Sequence, residues 1–181
     1  FLINVASHAI QSTWSYYTME RYHWNERMVG NSLGFVGLLI AIVQAGLIRI
    51  IIPKLGIEKS ILIGSILYLI SLPMMGLASQ SWLLLIAVIP YVFAGIVGPA
   101  IQSLFSNETP IDEQGQIQGG LTSVISLTAI IGPPVMSWLF AHFTDKKEPL
   151  YLPGAPFFLA TILALISLII ACFYIKKKKP H

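Results

Sequence analysis

The residues able to do chemistry in this sequence are few, mostly uncharged, and set inside long apolar runs. His8, Gln11 and Ser15 recur at i, i+3 and i+7, the spacing that puts side chains on one face of a helix. Such a polar stripe should face a bundle interior or a watery cavity. Trp14, Tyr16 and Tyr17 follow on the same segment. Gln44 stands in the middle of a second apolar run, and Gln102 lies near the end of a fourth. Histidine changes charge near neutral pH, so His8 suits a proton-linked step. The alternative is a neutral imidazole bonded to a neighbouring helix. An amide in lipid leaves its donors unsatisfied, so Gln44 and Gln102 must face protein or cavity, bonding helix to helix or contacting a ligand. Trp14 and Tyr17 suit either a cavity wall or the aromatic belt of a membrane interface. All eight Asp and Glu residues lie in loops or at the ends of the runs, whereas intramembrane acids are the usual marks of proton relays and ion sites. No H-E-x-x-H, G-x-S-x-G or P-loop pattern occurs, and the one cysteine, Cys172, excludes a disulfide framework or a Cys-based zinc site. No catalytic constellation is present, so the expectation is a binding surface without enzyme activity, resident metal or cofactor.

Only long membrane elements can hold such residues. Of 181 residues, 55% are hydrophobic and 10% charged, and the mean hydropathy is +0.75. Soluble domains carry about 25% charged residues, and disorder needs low hydrophobicity and high charge, so both classes are excluded. The apolar runs are continuous rather than alternating, which argues against a β-barrel. A helical span needs about 20 apolar residues. The pattern predicts six, at about 1–19, 28–52, 60–77, 83–105, 119–143 and 157–175, the second stopped by Pro53. The expected fold is an all-α membrane protein of six transmembrane helices. The first span starts at Phe1 with no initiator methionine and no charged flank, and it lacks the marks of a secretory signal. The chain is therefore expected to be a fragment, or the back half of a longer protein.

Lysine and arginine near span ends set orientation. Arg49, Lys54, Lys59 and the lysines 176–179 make seven on one side; Arg21, Arg27, Lys146 and Lys147 make four on the other. The seven-residue side should be cytoplasmic, with the C-terminus inside. The lysine tail beside a span fixes topology or touches anionic headgroups, which makes the lipid bilayer a partner and not nucleic acid. Gly30, Gly34 and Gly37 in the second span, and Gly95 and Gly98 in the fourth, would let helices approach closely. Pro73, Pro90, Pro99 and the pair Pro133-Pro134 each remove a backbone donor and bend a helix.

Three stretches then match a known family. The first is Trp14-x-x-x-Thr18-x-x-Arg21-Tyr22-x-Trp24-Asn25 with Met28-Val29-Gly30 and Ser32-Leu33. The second is Gly95-x-x-Gly98-Pro99-Ala100-x-Gln102. The third, and most specific, is Glu113-Gln114-Gly115-x-x-Gln118-Gly119 with Ser123, Ser126-Leu127-Thr128 and Ile131-Gly132-Pro133. Over essentially its whole length the chain resembles the C-terminal half, helices seven to twelve, of a major facilitator superfamily transporter. More narrowly it resembles the tetracycline-resistance group of bacterial drug:proton antiporters.

The resemblance implies a six-helix half of that fold, a missing N-terminal six-helix half, a small-molecule substrate, and protons as the driving force in a bacterial inner membrane. Gly132-Pro133 looks like the counterpart of the exporters' Gly-Pro motif, since the superfamily's halves are repeats. The segment Gly46 to Lys59, with Arg49, Lys54 and Gly56, resembles a degraded copy of the basic gating loop, although these cations equally serve topology. Gly98, Pro99 and Gln118 fall among the packing and gating positions. The substrate wall expected of this half comprises His8, Gln11, Trp14, Tyr17, Gln44 and Gln102. Enterobacterial tetracycline exporters carry a histidine in helix eight and an aspartate in helix nine; the matching positions here are Ile40 and Tyr68. The resemblance therefore does not carry tetracycline itself over as cargo. Two other functions fit the same residues: an uptake symporter or facilitator for a metabolite, and a stand-alone six-helix interaction subunit.

Overall fold

The structure, a computed structural model, describes residues 1–145, 147 and 149–178. Lys146 and Lys179, which enter the topology count, lie outside the described residues. Eight α-helices follow in order, with no strand among the described residues: α1 (Leu2–Tyr22), α2 (Glu26–Ile42), α3 (Ile48–Leu55), α4 (Ile57–Leu77), α5 (Ser81–Ala94), α6 (Val97–Glu108), α7 (Gln114–Thr144) and α8 (Ala155–Lys178). A π-helical turn, Val43–Leu47, joins α2 to α3, and a 3₁₀ turn, Ile111–Glu113, precedes α7. Since α2 with α3, and α5 with α6, make single rods, the described residues form six membrane-length segments. Short connections between long helices make successive neighbours antiparallel.

Among the described residues, five segments are long and apolar enough to cross a membrane: Glu26–Gly46, Ile57–Leu77, Ser81–Glu108, Ile111–Thr144 and Ala155–Lys177. The first, α1, has 21 residues but is too polar to qualify by composition. The bundle explains why it tolerates polarity. α1 packs along α7 and α8, while α4 packs against α5, α6 and α8. Ala6, Ala9, Thr13, Tyr17 and Thr18 of α1 are completely buried, and Trp14 nearly so. Its hydroxyls bond carbonyls one turn back, Thr18 Oγ1 donating to Trp14 O at 2.9 Å and Ser7 Oγ to Asn4 O at 2.7 Å.

Several connections differ from the sequence pattern for identifiable reasons. Pro53 does not stop the second span; the helix runs through it to Leu55 and ends at Gly56, where φ is 82°. A proline in a last turn removes one donor without disturbing turns beyond it, and glycine takes the left-handed conformation at low cost. The polar stretch 106–118 is mostly helical rather than loop. Gln114 closes it: its Nε2 donates to Ser106 O at 2.6 Å and Thr109 O at 2.8 Å, and Ser106 Oγ donates to its Oε1 at 2.9 Å. One side chain thus satisfies carbonyls that the end of α6 leaves open. At the opposite end of the bundle, Asn25 caps α2 by accepting from Met28 N at 2.9 Å. Trp24 Nε1 donates to Ser81 Oγ at 2.9 Å, and Tyr22 OH donates to Ala78 O at 2.9 Å. Nearby, Tyr151 OH donates to Glu20 Oε1 at 2.9 Å; burial first, then this carboxylate, raises the phenol above its usual value of 10.0.

Small residues mark two kinds of surface. Gly64, Gly76, Gly132 and Gly154 sit where a neighbour leaves no room; a Cβ on Gly154 would lie 2.5 Å from Gly76 O. Gly30, Gly34 and Gly37 are the reverse: nothing approaches within 4 Å of where their Cβ would stand. The expected close helix contact on that α2 stripe is therefore not made among the described residues. α2 also exposes Leu33, Phe35, Leu38 and Ile42, and α7 exposes Ile125, Leu127, Ile130 and Trp138.

Candidate functional site

The polar residues of α1 meet the rest of the bundle in a cleft of about 260 Å³. Ile3, Asn4, Ser7 and Gln11 of α1 line one side; Ile40 and Gln44 of the second segment line another. Tyr68 of α4, Tyr91 and Val92 of α5, and the stretch Gly95, Val97, Gly98 and Pro99 complete it. Two local distortions of the helices lie on its wall. Gln44 belongs to the π turn, where Ile48 N reaches back to Val43 O. A π turn inserts one extra residue into a helix, re-aims its side chains, and is frequent at functional sites. The rod of α5 and α6 is interrupted between Ala94 and Val97. Gly95 N bonds Val92 O and Ile96 N bonds Phe93 O, both at 3.2 Å and both to the third residue back. Pro99, in the first turn of α6, has no N–H to offer Gly95 O, its α-helical acceptor. Irregular backbone at membrane depth is tolerated where it lines a cavity.

Gln11 and Gln44, drawn from different apolar runs, are brought to this one cleft, and both are exposed within the chain. The other substrate candidates go elsewhere. His8, half-buried, faces α7, where its ring would collide with any Cβ on Gly132. The His8–Gln11–Ser15 stripe is thus divided, one edge turned to a helix contact and one to the cleft. Trp14 and Tyr17 lie neither on a cavity wall nor in a belt. Trp14 Nε1 donates to Ser32 Oγ at 2.9 Å, tying α1 to α2, and Tyr17 OH donates to Met75 O at 2.7 Å, tying α1 to α4. Each is an amphipathic ring buried for area with its polar atom satisfied. Gln102 Nε2 donates to Gln118 Oε1 at 3.0 Å, a bond between α6 and α7 outside the cleft.

The packing and gating candidates are scattered as well. Arg49 and Lys54 are exposed on α3. Gly56 lines a separate groove of about 720 Å³ at that end of the bundle, with Glu58, Lys59, Asn107 and Glu108. Pro133 continues α7 beside Gly132, while Gly98 and Pro99 border the cleft.

Sequence reading missed Asn4, Ser7 and Tyr91. The first two had a signal, since Asn4, Ser7 and Gln11 repeat at i, i+3 and i+7 as cleanly as His8, Gln11 and Ser15 do. Tyr91 had none, being one aromatic in an apolar run. Ile40 and Tyr68, the two departures from the exporter pattern, both border the cleft.

No side chain of the cleft lining is charged at neutral pH. It offers three amides, one aliphatic hydroxyl, two phenols and a helix break. That set can bind a small molecule by hydrogen bonds and ring contact. It holds no acid to carry a proton.

Comparison with known proteins agrees with this picture. The family model of the Major Facilitator Superfamily matches residues 1–181. The class E tetracycline resistance protein of Escherichia coli is 33% identical over 174 residues, covering 96% of this chain and 42% of that protein. The class C protein of the same species is 27% identical over 166 residues, covering 91% of this chain and 42% of its own length. A human relative, hippocampus abundant transcript-like protein 1, is 27% identical over 155 residues, covering 78% of this chain and 31% of its own length. The chain spans less than half the length of these relatives. The membrane-length helices, the polar cleft they enclose and the match along the whole sequence lead to one conclusion: this chain, a multi-pass membrane protein, belongs to the Major Facilitator Superfamily of transporters.

Proposed function

We propose that the chain is the C-terminal half of a secondary transporter that exports a drug-like amphipathic molecule in exchange for protons. The observation that carries this reading is the cleft itself, where Gln11 and Gln44 converge at a π turn beside an interrupted helix. A further N-terminal half of six helices closes over it and rocks against it, exposing the cleft to each side of the membrane in turn. Two features support a second half. The relatives are more than twice as long as the matched region, and the glycine stripe of α2 and the apolar face of α7 meet nothing within this chain. Export is supported by relatives that carry tetracycline resistance in their names. The cargo is not tetracycline in this reading, because Ile40 and Tyr68 stand on the cleft wall in place of the exporters' histidine and aspartate. Proton-carrying acids are supplied by the other half, since this cleft has none. The setting is a bacterial inner membrane with the C-terminus cytoplasmic, on the seven-to-four excess of Lys and Arg.

Inverted membrane vesicles containing the full gene product test this. Acidifying their interior should drive uptake of a fluorescent amphipath, and a protonophore should abolish it. Uptake indifferent to the protonophore would overturn the antiport mechanism.

A further inference from the structure

One wall of the cleft carries two rings whose hydroxyls the packing leaves without a partner among the described residues. Tyr68 and Tyr91 are each 8% exposed and meet edge to face, with ring centroids 5.6 Å apart. Neither phenol has a hydrogen-bond partner among the described residues, yet no wholly enclosed side-chain polar atom there goes unsatisfied. Their hydroxyls therefore reach the open space of the cleft while the rings stay in the core. Tyr17 makes the contrast clear: fully buried, it spends its hydroxyl on a backbone carbonyl. Beside the pair, Gly95 lines the same cleft, and Pro99 withholds the N–H that would occupy its carbonyl in a continuous helix.

The chemistry of an occupant follows from three constraints. The phenols offer O–H donors, so the occupant needs an acceptor. The Gly95 carbonyl, denied its α-helical donor by Pro99, is open to another donor. No charged side chain lines the space, so a bare charge would lose its hydration without a counter-charge in return. An uncharged group that both donates and accepts meets all three, and a hydroxyl on an aromatic ring system is the simplest. We propose that Tyr68, Tyr91 and the Gly95 carbonyl form a subsite for an uncharged, hydroxyl-bearing aromatic portion of the cargo. Any charge on the cargo then lies toward the other half. This inference rests on the cleft being the cargo path, as proposed above. It makes Tyr68 and Tyr91 specificity determinants. A site built around buried hydrogen-bonding groups rejects an analogue that cannot pair with them more strongly than it rejects one of slightly different size.

Equilibrium binding of radiolabelled 2-naphthol to the purified full gene product, by scintillation proximity, tests this without any gradient. 2-Methoxynaphthalene has lost the donor, 2-naphthoate carries a negative charge and 2-naphthylmethylammonium a positive one. All three should compete at least about tenfold more weakly than unlabelled 2-naphthol. Tyr91→Phe keeps the ring and should weaken 2-naphthol about tenfold, leaving naphthalene, which has no acceptor for the lost O–H, within twofold. Tyr68→Phe, tested separately, should act in the same direction. Equal competition by the methyl ether, tighter competition by either ion, or no binding of 2-naphthol at all would overturn the subsite. So would unchanged 2-naphthol affinity in both phenylalanine variants. Selective binding alongside protonophore-insensitive vesicle uptake would sink the antiport reading and leave the subsite standing. Protonophore-sensitive uptake with no discrimination among the naphthalenes would do the opposite.

Discussion

Gln44 shows how much a single residue's meaning depends on its backbone. Gln44 follows Ile40 by one helical turn and shares its face, so both border the cleft, and there the amide joins Gln11 at the start of the π turn. Gln44→Ala in the full gene product should weaken cargo binding about tenfold without altering its thermal midpoint, because the side chain is exposed within the chain and no internal bond is lost. Tyr17→Phe should do the reverse. It removes the bond to Met75 O and should cost about 1 kcal/mol of stability, read as a lower melting midpoint in detergent, with cargo affinity unchanged. A Tyr17→Phe protein of normal stability but poor affinity would return Tyr17 to the substrate wall. Residue types alone could not separate these cases. Glutamine, tryptophan and tyrosine in apolar runs all require partners, and only the fold reveals whether the partner is another helix, as for Trp14 and Tyr17, or open space, as for Gln11 and Gln44.

Among the elements, α1 and α7 are in contact so close that Gly132 is required opposite His8. Gly132→Ala should therefore destabilise the protein by about 1–3 kcal/mol, and His8→Ala in the same chain should recover most of that loss. Thermal unfolding of the single and double variants checks this; a loss that persists in the double variant would mean that the ring is not what Gly132 accommodates. Gly56→Ala, at φ 82° and ψ 156°, should cost about 1–3 kcal/mol through backbone strain alone, since nothing stands within 4 Å of the added methyl. The helices themselves were legible because long apolar runs leave few alternatives: five helical segments among the described residues are long and apolar enough to cross a membrane, and α1 is a helix too polar to qualify. Their ends were less so. Pro53 read as a stop, but a last-turn proline costs a single bond, and the stretch 106–118 read as a loop because its polarity hid the capping by Gln114. The π turn and the break at Gly95 leave little trace in composition, since both depend on how backbone bonds are shared between turns.

Over the whole molecule, two faces decide what the chain can be. The cleft-lining face is polar and neutral; the faces of α2 and α7 are apolar or glycine-rich and uncovered. A chain with only the first would be a binding bundle. The proposal that the chain is one half of a larger transporter draws on both faces and on relatives more than twice as long as the matched region. Gly34→Leu should leave membrane insertion and folding intact, as the side chain meets nothing within this chain, yet reduce vesicle uptake at least about tenfold by blocking close approach of the other half. A Gln11–Gln44 cleft that serves as the cargo path opens alternately to the two sides of the membrane. Gln44→Cys, placed in the full gene product with native cysteines, including Cys172, replaced, reports that opening. A membrane-impermeant maleimide is then applied from each side, with and without a proton gradient. Labelling is expected from one side at rest, with a shift toward the other side when the gradient is imposed, and protection by cargo. A Gln44→Cys protein that labels from neither side, or whose labelling ignores both gradient and cargo, would contradict a cargo path through the cleft.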